Sequence, residues 1–349
     1  MGIDKEKAKQ ALDKVLRDMA GAMSAGMVYV GVKTGLWRVL QGKGPLPASK
    51  VVELSGLEAR YVEEWLKGMV AAGYLDYDPS AQTYALPDEH AYFLASDDTD
   101  HFVGGLFAMV PPLMRVAPDV ARAFAEGGGV RFEQFGPECV EALELINGGQ
   151  YEARFADYWM KSVPQAAERL RAGGRALDVG CGSGRVCIAL AKAFPKAEVI
   201  GIDPDAESIR RAKAAARGLN IQFMLGEVLS VEKASGFDFI SLCDALHDLA
   251  EPLKTLEEIR ALLRPDGTLF IVEPKAADRL EDNRNPVAAT FYGFSVFHCM
   301  TQSLARGGPG LGTCLGPAAT EALVRRAGYT RFARLDIKSL TNLFYSAQP

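Results

Sequence analysis

Residues 176–185 read Ala-Leu-Asp-Val-Gly-Cys-Gly-Ser-Gly-Arg. A short apolar run carrying Asp178 enters a glycine turn there, and a helix is expected over 186–194. Glycines at 180, 182 and 184 tolerate positive φ and lack a Cβ, so the backbone can come close to a ligand. The helix start beyond them offers free N–H groups to a polar or anionic group. A second apolar run, Glu198-Val-Ile-Gly-Ile202, ends at Asp203. That acid follows the glycines by about 20 residues, where a doubly wound fold sets a carboxylate against ribose hydroxyls. A third run, 221–225, ends at Gly226-Glu227, and a fourth runs into Asp244, His247 and Asp248. A fifth ends at Glu273. Carboxyl ends of strands in an open α/β sheet face the ligand crevice, so this order gathers the acids and the histidine near one ligand.

The dinucleotide fingerprint G-x-G-x-x-G would require glycine where Arg185 stands. Asp178 would repel a pyrophosphate but could hold an ammonium group. S-adenosyl-L-methionine has an ammonium group, a ribose and an adenine, and no phosphate. The pattern resembles the first motif of class I S-adenosylmethionine-dependent methyltransferases. The resemblance implies that Asp178, Gly180, Gly182, Gly184, Asp203 and Asp244 border the methyl donor. It also implies that Glu227, standing where that family has Gly-Asp, meets the adenine amino group. His247 in Ala-Leu-His-Asp-Leu is similar to the histidine of Leu-His-Asp-Trp in plant-type O-methyltransferases. That likeness implies a general base oriented by the acid at Glu273. A histidine held by a carboxylate is suited to removing a hydroxyl proton.

These residues need a parallel sheet to bring them together. Strands are expected near 175–179, 198–202, 221–225, 237–242 and 268–273 with helices between them, then near 331–337 and 342–348. The family likeness implies an α/β fold, a Rossmann-like seven-stranded sheet in the order 3-2-1-4-5-7-6. An insert at 274–315 carries Phe291-Tyr-Gly-Phe-Ser-Val-Phe-His-Cys-Met300. Tyr292 and His298 have polar tips there and are candidates for contacting the substrate, with core packing the competing explanation. Tyr151 and Tyr158 are weaker candidates for the methionine end of the donor, and helix packing explains them equally well.

Towards the N-terminus, residues 5–40 have a helical apolar stripe through Ala11, Val15, Met19, Met23, Met27 and Val30. A short helix near 45–56, a second over 57–72 and a hairpin from 73 to 86 make an α-helical winged-helix domain. DNA recognition would call for a basic second helix. Glu58, Glu63 and Glu64 outweigh Arg60 and Lys67 instead, and the wing adds Asp76 and Asp78. The expected division is a winged-helix dimerisation domain at 1–90, a helical linker or substrate lid at 91–161 and a donor-binding catalytic domain at 162–349.

Of the 349 residues, 48% are hydrophobic and 24% charged, and the net charge is −5. This suits a soluble globular protein and argues against a general nucleic-acid partner. No long apolar run suggests a membrane span, and the charged N-terminus does not read as a signal peptide. The six cysteines contain no C-x-x-C pair, which points to reduced cytosolic (cytoplasmic) thiols and to no metal site.

The order of elements resembles winged-helix methyltransferases, most closely a mycobacterial group and the S-methyltransferases of dimethylsulfoniopropionate synthesis. That likeness implies a homodimeric S-adenosylmethionine-dependent methyltransferase with a small-molecule substrate. It favours S-methylation of a thioether acid such as 4-methylthio-2-hydroxybutyrate, whose lone pair needs no base. O-methylation of a hydroxyl or carboxylate, with His247 as base, is the alternative. A ligand-sensing winged-helix transcription regulator is a second alternative.

Overall fold

The computed structural model of the protein describes residues 2–97, 99–232 and 236–349. The chain forms two compact units, Met1–Pro111 and Pro112–Pro349, where the sequence suggested boundaries at 90 and 161. Residues 91–111 belong with the first unit because Val103 and Phe107 pack on its core.

The first unit opens with the helix Lys5–Thr34, capped by the Asp4 carboxylate, which accepts the Glu6 and Lys7 N–H groups. The helix stops at Gly35, whose φ of 74° is left-handed, and a short helix Leu36–Leu40 follows. The single helix expected to residue 40 is therefore two. Helices Ala48–Ser55 and Ala59–Ala71 come next. Strands β1 (Leu46–Pro47), β2 (Asp76–Asp78) and β3 (Thr83–Ala85) form an antiparallel wing in the order β1-β3-β2. Trp37, Trp65, Leu66 and Met69 fill the core. Both indole N–H groups are satisfied, Trp37 donating to the Val28 carbonyl at 3.1 Å and Trp65 to that of Met27 at 2.8 Å.

The second unit is built on β4 (Arg175–Val179), β5 (Glu198–Asp203), β6 (Ile221–Leu225), β7 (Phe237–Cys243), β8 (Leu263–Pro274), β9 (Arg331–Arg334) and β10 (Asn342–Gln348). Their order is β6-β5-β4-β7-β8-β10-β9, the order expected. The neighbouring pairs from β6 through β8 are parallel, and β10 runs antiparallel to both β8 and β9. Every residue of β7 is buried, as a strand covered on both faces requires. Phe239, Phe270, Phe344 and Trp159 pack on one face of the sheet, and Leu177, Ile240, Leu242 and Ile271 on the other.

Between β6 and β7 the expected helix is absent among the described residues. A 3₁₀ turn at Val228–Ser230 stands there, and the buried side chains of Val228 and Val231 cover the sheet without it. The insert forms helices Pro286–Phe294 and Met300–Ala305, joined by a π-helical turn at Ser295–Cys299. The Gly127–Gly129 loop lies against the second of these helices. A Cβ on Gly129 would stand 1.9 Å from the Thr301 carbonyl oxygen, so only glycine allows the approach. No helix among the described residues is long and apolar enough to cross a membrane.

Candidate active site

The chain order reverses direction in the sheet between β4 and β7, and ligands of open α/β sheets bind at such a switch point. The turn after β4 has φ values of 69°, 51° and 77° at Gly180, Gly182 and Gly184. Gly180 and Cys181 N–H groups both donate to the Ile202 carbonyl, at 2.9 and 3.1 Å, stitching the turn to β5. A Cβ on Gly184 would meet the Phe223 ring at 2.7 Å, whereas one on Gly182 would face open space. Gly182 is thus the point of the turn where a ligand can reach the backbone.

Asp203, at the end of β5, is 9% exposed. Its carboxylate accepts the Gly182 N–H at 2.9 Å and the Asp205 N–H at 2.8 Å, so it shapes the glycine turn directly. Burial pushes its carboxyl up to about 6. Asp178 lies deeper, at 2% exposure, and accepts the Ser241 hydroxyl at 2.6 Å. Burial raises it to about 7. The structure thus turns Asp178 into the sheet, bonded to Ser241, where the sequence reading had it meet an ammonium group.

Asp244 directly follows β7 with a φ of 49°, a left-handed value that a non-glycine residue adopts at a cost. Its carboxylate is fixed from two sides, by the Tyr151 hydroxyl and by the Asn342 side-chain amide at 3.0 Å. Burial lifts Asp244 to about 6 and the Tyr151 phenol well above its usual range. Tyr151 comes from the helix Pro137–Arg154. Arg185, standing where a dinucleotide turn would have glycine, pairs with Glu144 and Glu152 of that helix. Arg211 adds a 3.3 Å contact to Glu144.

His247 is 3% exposed, and its Nδ1 stands 2.8 Å from Glu273 Oε2 at the end of β8. Its Nε2 stands 3.3 Å from Asp248 Oδ1. Burial by itself disfavours the imidazolium, but the Glu273 and Asp248 carboxylates outweigh it and hold His247 well above its ordinary value. The π-helical turn brings His298 to the same place, between the Phe132 and Phe135 rings. Gln302 donates to Asp248 Oδ2 at 2.8 Å. His298 itself is pushed down, chiefly by burial.

Other expectations are not gathered in. Tyr292 is 39% exposed, and no contact joins it to the cluster among the described residues. The π-helical turn Ser295–Cys299 begins between Tyr292 and His298, and of the two only His298 is buried. Tyr158 is 42% exposed. Glu227 is exposed and paired with Arg306. Sequence reasoning missed Asn342, Gln302, Cys299 and Arg185. Only Arg185 had a signal, as the residue that breaks the dinucleotide pattern.

Residues 170–305 match the family described as "Methyltransferase domain", and residues 22–96 match the "Rv2258c-like winged HTH domain". A demethylmenaquinone methyltransferase of Thermus thermophilus is 34% identical over 42% of this chain and 67% of that one. An uncharacterized 37.1 kDa protein in transposon Tn4556 of Streptomyces fradiae is 32% identical over 48% of each chain, so the chain spans about half of that relative. The mitomycin 7-O-methyltransferase MmcR superposes with a TM-score of 0.67 at 18% identity over 99% of this chain and 100% of that one, a likeness of fold. With its glycine turn and strand-end acids ordered around the switch point, the chain belongs to the S-adenosylmethionine-dependent methyltransferases and carries an Rv2258c-like winged helix-turn-helix domain.

Proposed function

We propose that the protein methylates a hydroxyl of a small-molecule acceptor, with His247 as the general base. The observation that carries this reading is the buried His247–Glu273 pair at 2.8 Å. With Nδ1–H donating to Glu273, Nε2 is the atom left to take the acceptor's proton. When bound, S-adenosylmethionine supplies a methyl group on a sulfonium. Gly182, whose backbone is open to a ligand, would hold it with Asp203 for the ribose and Asp244 for the methionine end. The rest of catalysis is positioning, in which Glu273 fixes the imidazole and Asn342 and Tyr151 fix Asp244.

A thioether acceptor, the first expectation from the sequence, has no support among the comparisons. It would also leave His247 no proton to remove. A regulator that reads DNA is disfavoured because helix Ala59–Ala71 has no excess positive charge, Glu63 and Glu64 cancelling Arg60 and Lys67. We extend the proposal to a homodimer. Leu12, Val15, Leu16, Met19 and Met23 form an exposed apolar stripe on helix Lys5–Thr34, each more than half exposed, which a second copy would cover.

The test is a pH–rate profile of the wild type and His247→Ala with labelled donor over a panel of phenols, alkyl hydroxyls, carboxylates and thioethers. His247 is held above its usual value and must be unprotonated to act, so the wild-type rate should rise with pH from neutral upward. His247→Ala should lose about 10²–10⁴-fold and recover part of it in alkali. A flat wild-type profile, with thioethers as the accepted class, would overturn the proposal.

A further inference from the structure

We propose that His247, Asp248 and Cys299 bind a zinc-type divalent cation, and that the bound ion shuts methyl transfer off. The shut-off rests on the base role proposed for His247; the binding does not.

The three residues offer an imidazole nitrogen, a carboxylate oxygen and a thiol sulfur, all within 4.8 Å of one another. This mixed set suits zinc, which accepts N, O and S ligands in a tetrahedron. Magnesium and calcium ask for more oxygens and no sulfur. The spacing of one pair agrees as well. Two ligand atoms about 2.0–2.1 Å from a tetrahedral ion stand roughly 3.3 Å apart, and His247 Nε2 and Asp248 Oδ1 are separated by 3.3 Å.

Independent observations point the same way. Asp248 Oδ1 is buried without a hydrogen-bond partner, while Gln302 holds the other oxygen at 2.8 Å. Oδ1 thus faces the imidazole at 3.3 Å as a charge partner without accepting a hydrogen bond. His247 Nδ1 is already held by Glu273, the carboxylate–histidine arrangement that orients metal ligands and makes them more basic. Cys299 is buried, and it is delivered by the π-helical turn, an irregularity that occurs frequently at functional sites. Cys299 lies far from the adjacent pair His247 and Asp248 in the chain, so no C-x-x-C-like spacing announced the set.

Binding would displace the proton from Nε2 and the proton of the Cys299 thiol, releasing both to solvent. The Nε2 lone pair would then be committed to the ion and unable to accept a hydroxyl proton. Three protein ligands leave the fourth tetrahedral position to water.

The test uses the full chain stripped with a chelator and titrated with Co²⁺, then Zn²⁺. One equivalent of Co²⁺ should bind, giving a near-ultraviolet thiolate-to-cobalt band and tetrahedral visible bands, and Zn²⁺ should displace it. Cys299→Ser should lose the thiolate band and bind Zn²⁺ about tenfold or more weakly. Zinc should therefore inhibit the wild type at concentrations that leave the chelator-treated rate of Cys299→Ser, whatever its size, unchanged. Absence of stoichiometric binding to the wild type, or bound Co²⁺ with no thiolate band, would overturn the site whether or not the variant folds. Zinc bound with the thiolate band but without loss of rate would overturn the shut-off and count against the base role of His247.

Discussion

Three carboxylates near the glycine turn sit above their usual range because burial disfavours their charge: Asp178 at about 7, Asp203 at about 6 and Asp244 at about 6. A cationic donor stabilises their ionised forms, so binding favours the deprotonated protein. S-adenosylmethionine affinity should accordingly fall as pH drops through the window from about 7 to about 6, where these groups take up protons. Asp203 has a second task. Its loss would orphan the Gly182 and Asp205 N–H groups as well as remove the proposed ribose acceptor. Asp203→Ala should weaken donor binding by about 1–3 kcal/mol. Calorimetric titration of wild type and variant across this pH range checks both effects. Equal affinity in the two proteins would remove Asp203 from the donor site.

At the scale of elements, the helix Pro137–Arg154 is held to the glycine turn by ions and to β7 by one phenol. Arg185 is the first residue of the helix Arg185–Ala193 and pairs with Glu144 and Glu152, while Tyr151 reaches Asp244. The Arg185 and Glu144 side chains are 27% and 18% exposed, so solvent screens their attraction only in part. Arg185→Met keeps the stem and removes the charge, leaving Glu144 to Arg211 and Glu152 to Lys192. It should cost about 2 kcal/mol and speed hydrogen exchange across 137–154. Through Tyr151 and Asp244 it should also weaken the donor complex. Unchanged exchange in that helix would show that the ions do not hold it.

For the whole molecule, helix Lys5–Thr34 poses the question that a single copy leaves open. Its stretch from Leu12 to Met23 exposes a row of large apolar side chains at helical spacing, with Met19 at 60% and Met23 at 61%. Burying that row in a symmetric pair removes apolar surface from water, and the shared face would need to be self-complementary. Light scattering should give about twice 37.7 kDa for the wild type at micromolar concentration. Leu16→Glu with Met19→Glu should give the single-chain mass. A wild-type monomer would sink the dimer proposal.

Local chemistry determined much of this protein from its sequence alone. The glycine turn, the acids at strand ends and the alternation of apolar runs with helices are set within a few residues of chain. They pointed to Asp203, Asp244, His247 and Glu273, while the sheet order was implied by the family likeness. Tertiary structure decided what depends on the meeting of distant segments. Asn342 reaches Asp244 because β10 inserts beside β8. Gln302 and Cys299 reach Asp248 and His247 because a π-helical turn sets the rotation of the insert helix. That rotation also leaves Tyr292 towards solvent while His298 is buried, a distinction the aromatic row could not reveal. Burial made the same division among the acids, since Asp178 and Glu227 both read as donor ligands. The completed sheet encloses the first, and an arginine from the insert pairs with the second. Periodicity specifies which residues lie on one face of an element, but it carries no information on which face of another element they will meet.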